Sequence, residues 1–266
     1  MWSALLLAAA VAGTESDSGA GAHVYRARPE AIRRPIIVFE LGPELGWRRV
    51  SYRDRLTPQL AGYQSGAMGL LAASAELYPA ARSELPVLRD LGLVGAFRRS
   101  LTESVLTADG RATLHDTWTG WDAGLRWRGI FNGWEWLGVS LRYGSMIDQL
   151  TPGITGALLP SGTVSFVRPG VDVRVPAGPV SLLVWGGYLA VVSDNVFARD
   201  FPRSTQGGID AGAGIRLRLS ALFDVQLSGQ YTRFFYSLYP KPGDPYVAGG
   251  ALDEYGVIDL AFLLHT

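Results

Sequence analysis

Apolar and polar residues take turns along most of this chain. Ile209, Ala211, Ala213, Ile215, Leu217, Leu219 and Ala221 alternate with Asp210, Gly212, Gly214, Arg216, Arg218 and Ser220. A period of two belongs to a β-strand with two unlike faces. Phe223 to Thr232, Leu137 to Gly144 and Trp121 to Arg128 repeat it cleanly. Looser versions run through Ile36 to Arg49, Gln59 to Tyr78, Leu88 to Leu101, Thr163 to Val175, Val180 to Ser193 and Tyr255 to His265. The pattern therefore predicts ten strands. The connections between them are short at 131–133, 176–179 and 222, and long at 102–117, 148–162, 194–206 and 239–252. Only 79–86 is longer than its place among the short turns requires. Short and long connections in alternation describe an up-and-down barrel with turns at one end and loops at the other.

Alternation does not say which face lies inside. A soluble barrel buries its apolar face, whereas a membrane barrel presents that face to lipid. The arginines decide between them. Each arginine facing hydrocarbon near the midplane costs about 2–4 kcal/mol, and several together would rival a whole domain's stability of about 5–15 kcal/mol. The polar face is thus expected to line a lumen, with Glu40, Glu44, Asp122, Arg126, Arg128, Arg142, Asp172, Arg174, Asp210, Arg216, Arg218, Asp224 and Asp259 pointing inward. Ser220 falls on that face by parity. Aromatic residues near strand ends support the choice, because they match interfacial girdles. Tyr78, Phe131, Trp134, Trp136 and Phe223 flank the short turns, and Trp118, Trp121, Tyr231, Phe234, Phe235, Tyr236 and Tyr239 crowd the far ends.

The end of the chain carries a resemblance. Ile258, Leu260, Phe262 and Leu264 share a face with the terminal Thr266, and this alternation resembles the C-terminal strand signal of bacterial outer-membrane β-barrel proteins. Threonine stands where that class has a final aromatic. The similarity is at the level of the class, over Ile36 to Thr266. It implies an all-β, membrane-spanning antiparallel up-and-down barrel of about ten strands, lying in the bacterial outer membrane. Its implied partners are outer-membrane lipid, the barrel-assembly machinery that reads the last strand, and possible small solutes or ions in the lumen. Ten strands lie nearer the filled interior of an eight-stranded barrel than the water channel of a sixteen-stranded one, so the lumen is expected to be narrow or occluded.

Composition adds the route and removes alternatives. Trp2 to Ala12 is an apolar run ending in Ala10, Val11 and Ala12, which reads as an export signal over 1–12. Residues 13–34 lack a period and read as a flexible leader, leaving 35–266 for the barrel. Basic and acidic residues balance at 24 each, so no overall cationic field favours nucleic acid. With no cysteine, disulfides and thiolate metal sites are excluded. No cofactor or metal is expected.

Candidate chemistry is sparse. Among three histidines, His23 lies in the leader and His265 beside the last residue, while His115 and Asp116 adjoin in a long connection. Ten-stranded barrels include the omptin proteases, whose site combines acidic pairs with an Asp-x-His element. His115–Asp116 lacks that spacing, and adjacent residues on an extended chain point to opposite faces. No catalytic residue is therefore assigned. The expected function is a porin-like or structural barrel; the alternative is a protease or lipid hydrolase with its site at the external loops, for which Ser100 and Ser104 stand near His115 in sequence.

Overall fold

The computed structural model describes residues 34–60, 62–101, 104–106, 113–131, 134–151 and 161–266. The expected export signal and all of the expected leader except Arg34 lie outside the described residues. In chain order the elements are β1 (Ile37–Arg53), β2 (Tyr63–Gln64), β3 (Met68–Leu77), α1 (Pro86–Arg89), β4 (Leu91–Ser100), β5 (Ser104–Leu106), β6 (Thr113–Phe131), β7 (Trp134–Thr151), β8 (Gly162–Ala177), β9 (Val180–Asp194), β10 (Thr205–Arg218), β11 (Phe223–Ser237) and β12 (Gly250–His265). Among the described residues, ten of these strands are long. Each pairs antiparallel with its neighbours in the order β1, β3, β4, β6 to β12. β12 then returns to β1, from Val38 opposite His265 to Arg53 opposite Gly250, so the sheet closes on itself. The seam is tied at its end by Ile36 N donating to Thr266 O at 2.8 Å. β2 and β5 are short additions beside β1 and β6.

Closure leaves every strand with an inside and an outside, and the sides are inverted relative to a soluble protein. Ile37, Phe39, Leu41, Leu45 and Trp47 of β1 are exposed, while Glu44 between them and Arg48 just past them are buried. Likewise Phe223, Leu227 and Tyr231 of β11 face out, and Asp224, Gln226, Ser228 and Thr232 face in. Ile37 to Trp47 covers ten residue-to-residue steps; at about 3.4 Å per step and a tilt of about 40°, the apolar band is about 25 Å tall, the height a bilayer core demands. Among the described residues no helix is long and apolar enough to cross a membrane; the strands form the spanning part. Trp47 and Tyr231 meet on one rung across Gly256. A Cβ at Gly256 would lie 2.1 Å from the Trp47 indole, so glycine there lets the ring lie flat over the sheet.

Several sequence expectations change. Tyr78, Trp118, Phe234 and Tyr236 do not join a girdle but are buried inside. The expected strand 59–78 is broken, because Ser65 turns aside to bind Arg48: its N–H donates to Arg48 O at 2.8 Å and its Oγ accepts from Arg48 N at 2.7 Å. β6 and β7 run further than expected, so 113–117 and 148–151 are strand rather than loop. β10 ends at Arg218. Ser220 lies in the turn beyond, where its Oγ accepts from Leu222 N and Phe223 N, and it is not a lumen position.

Candidate functional site

The interior divides into three levels. At the loop end, the segment between β9 and β10 folds down into the mouth and buries Val196, Phe197 and Phe201. Asp194 starts this descent, its Oδ1 accepting from Val196 N at 2.7 Å. Leu60, Leu238 and Ala248 join from the neighbouring connections. They pack on strand residues Val50, Leu189, Phe234 and Tyr236, with the Phe197 and Tyr236 ring centroids 4.2 Å apart. These large apolar side chains form one packed cluster in the loop-end mouth, held together by their removal from water.

Beneath that plug lies an ion cluster with no contact to solvent. Arg48, fully buried, donates from Nε to Asp253 Oδ1 at 2.9 Å and from Nη2 to Asp253 Oδ2 at 2.8 Å. This is the two-pronged geometry that suits a guanidinium to a carboxylate. Asp148 stands 3.7 Å from the same Nη2, and Tyr255 donates its hydroxyl to Asp148 at 2.5 Å. Asp116, also fully buried, accepts from the Tyr63 hydroxyl at 2.8 Å. Trp118 and Tyr255 close the floor, with ring centroids 5.1 Å apart.

Below this floor is a chamber of about 230 Å³ lined by both signs of charge. Arg142 Nη1 donates to Asp122 at 3.1 Å and Arg168 Nη1 to Asp210 at 2.8 Å. Arg216 binds Gln226 Oε1 through Nε at 3.0 Å and through Nη2 at 2.7 Å. Towards the turn end, Arg126 gathers Asp172 at 2.6 Å, Glu76 at 3.2 Å, the Tyr78 hydroxyl at 2.8 Å, and Glu135. Arg128 lies over the Tyr78 ring, 3.6 Å from its centroid, and donates to Pro35 O at 3.1 Å. Asp90, just past α1, holds Arg34 at 2.9 Å, with Arg128 Nε 3.5 Å away. The long connection at 79–90 thus brings a carboxylate to the turn-end mouth, and Arg34, expected in the flexible leader, is anchored there.

Of the residues expected in the lumen, Glu44, Arg126, Arg128, Asp210, Arg216 and Asp224 are buried, and Glu40, Asp122, Arg142, Asp172, Arg174 and Asp259 are half-buried inside. Arg218 is the exception: it ends β10 at the rim and is exposed, because the strand stops before its side chain is enclosed. His265, taken as incidental, pairs its Nε2 with Asp224 Oδ2 at 3.0 Å. Arg48, Arg98, Asp116, Asp148, Arg168 and Asp253 were missed as interior groups. Parity would have found most of them, since Arg48 continues the even positions of Glu40 and Glu44, and Arg168 those of Asp172 and Arg174. The expected external His115–Asp116 pair lies within β6 instead. His115 occupies the rung opposite Ser104 of β5 and Thr151 of β7; its side chain lies outside the described residues.

An antiparallel barrel closed by ten long strands, apolar outside and ionic within, defines a membrane-spanning β-barrel of the outer-membrane class. No family model matches the chain, and no curated protein matches it in sequence. Among solved structures, the fold is similar to the outer-membrane protease OmpT from Escherichia coli, at 11% identity and a TM-score of 0.54 over 86% of this chain and 96% of that one. The translocator domain of the autotransporter NalP from Neisseria meningitidis matches at 9% identity and a TM-score of 0.41, covering 84% and 87% of the two chains. The attachment invasion locus protein Ail of Yersinia pestis matches at 13% identity and 0.35, covering 86% and 97%. At 11% identity the likeness to OmpT is one of fold alone.

Proposed function

We propose that this chain is exported through residues 1–12 and resides in a bacterial outer membrane, turn end towards the periplasm, as a structural or interaction barrel with an occluded lumen. The observation that carries this reading is the loop-end plug, in which Phe197 and Phe201 descend into the mouth and dry it. An open porin needs water along its whole axis. Outer-membrane lipid surrounds the apolar band, the assembly machinery reads β12, and the loop end faces partners outside the cell.

Fractionation should place the mature protein, shortened by roughly a dozen residues, in the outer membrane, and planar-bilayer recordings of refolded protein should be silent. Steady ion-sized conductance steps would overturn the occlusion; recovery of the full-length chain in the cytoplasm would overturn residence. The hydrolase alternative is favoured by one observation, the rung shared by Ser104 and His115. Against it, Asp116 is sealed beneath the plug and engaged by Tyr63. A serine-directed phosphonate should leave the protein unlabelled; labelling that disappears in Ser104→Ala would establish the hydrolase instead.

A further inference from the structure

The charges lining the chamber are not evenly mixed. Glu44 of β1 and Asp259 of β12 occupy one rung, and Glu40 lies four residues along β1 on the same face. In a ring of ten strands, β1 and β12 stand five strands away from β8 and β7. Those opposite strands carry Arg168 and Arg174, and Arg142. The chamber therefore has a carboxylate wall diametrically across from an arginine wall.

The two walls are also incompletely neutralised. On the acidic side the contacts are hydroxyls, Ser74 to Glu40 at 3.3 Å and Ser228 to Asp259 at 3.2 Å, with Arg98 3.6 Å from Glu44. Glu44 is 5% exposed, and its Oε2 meets no hydrogen-bond partner among the described residues. On the other side Arg142 and Arg168 share acids contributed by β6 and β10, and Asp172 is taken by Arg126. Arg174 comes no nearer than 3.8 Å to Glu135, and its Nε likewise has no partner among the described residues. Unmatched groups of opposite sign across a low-dielectric, narrow space create a transverse field that a dipolar guest relieves at both ends.

We propose that the chamber binds a small zwitterion, with its ammonium group on the Glu40–Glu44–Asp259 wall and its carboxylate on the Arg142–Arg168–Arg174 wall. A metal ion fits less well, since among the described residues no three acidic or imidazole groups come close enough to coordinate one. A nucleotide or longer peptide exceeds a space of about 230 Å³. At the turn end the chamber is bounded by Arg126 and, beyond it, by Tyr78, Arg128 and Asp90.

The test uses refolded barrel and isothermal titration with 4-aminobutanoate, butylamine and butanoate, each added both after refolding and during it. The zwitterion should bind at least about tenfold more tightly than either single charge, the factor set by one charge-assisted hydrogen bond. Glu40→Gln, at a half-buried position with one hydroxyl contact, should weaken the zwitterion about tenfold and leave butanoate unchanged. Heat-dependent gel mobility checks that the variant is folded. Equal affinities for the three probes, an unchanged zwitterion affinity in Glu40→Gln, or no binding at millimolar concentration by either route would overturn the assignment. Because bilayer conductance is not used, this failure is separate from failure of the occluded-barrel reading.

Discussion

Leu227 and Ser228 are neighbours on β11 that the barrel sends to opposite solvents. Leu227 is 55% exposed and pairs with Ile215 on β10 and Leu260 on β12, both themselves exposed, in the middle of the apolar band. Ser228 is 8% exposed, lines the chamber and donates to Asp259. Arginine at 227 enters hydrocarbon near the midplane and costs about 2–4 kcal/mol, roughly a 30-fold or greater loss in the folding equilibrium. Arginine at 228 enters a cavity of about 230 Å³ beside Asp259 and Glu44, where its charge meets unneutralised carboxylates. It loses one hydroxyl bond of about 1 kcal/mol, and the attraction of Asp259 and Glu44 offsets the cost of taking the guanidinium out of water. The expected result is a strongly destabilised Leu227→Arg and a near-neutral Ser228→Arg, read by urea titration of protein refolded into lipid vesicles. Should Leu227→Arg be the milder change, the inside and outside assigned here would be exchanged, and a soluble barrel would become the better account.

Three further outcomes follow from the interior. Arg48→Met, which leaves Asp253, Asp148 and Asp116 without their shared cation, should cost about 3–5 kcal/mol, whereas Arg48→Met with Asp253→Leu should recover much of that loss; additive effects in urea titrations of the cycle would count against a tightly coupled pair. Phe197→Ala should cost about 3–5 kcal/mol by opening a cavity in the loop-end plug, with hydrogen exchange quickening at the buried loop amides of 196–201; unchanged protection would mean that the plug does not depend on this ring. Gly256→Ala should lower the urea midpoint because its methyl meets the Trp47 indole, and Trp47→Ala should restore it; no rescue in the double variant would refute the close approach as the cause.

The strands were legible because a half-exposed sheet between two unlike solvents imposes period two on every residue it contains. Glu40, Glu44, Asp122 and Arg126 could be placed without coordinates for that reason alone. The same rule failed where its premise lapsed. Phe234 and Tyr236 continue the inward face of β11, yet they are apolar, so parity in hydrophobicity reads them as outward. Phe197 and Phe201 sit between strands with no period to follow. Arg48 and Asp253 are 205 positions apart, and only closure of β12 on β1 brings them together. A chemical pattern reports the local solvent of a strand; it does not report which distant strand supplies a partner.

Those failures share one cause, visible along β1. Up to Trp47 the outward residues are apolar and the inward ones include Glu40 and Glu44 between glycines; past it, Arg49, Ser51 and Arg53 face outward, while Val50 is buried within and Tyr52 packs beside the plug. β11 changes over at the same seam, since Arg233 follows Tyr231 on the outside as Phe234 follows Thr232 on the inside. On β1 and on the inner face of β11 the binary pattern therefore inverts at the rung where Trp47 and Tyr231 flank Gly256, while Phe235 keeps an aromatic ring outward above it. Below that rung the apolar side is outside because lipid is there. Above it, water is outside, and the hydrophobic effect drives the same alternating chain to bury its apolar residues inward, as any soluble barrel does. The plug is thus the core of the part that stands clear of the bilayer, and the dry Arg48 cluster lies where the two regimes meet. A barrel built this way gains stability at its loop end from a packed interior, independently of the lipid, and that packed interior is the feature on which the proposed occlusion of the lumen rests.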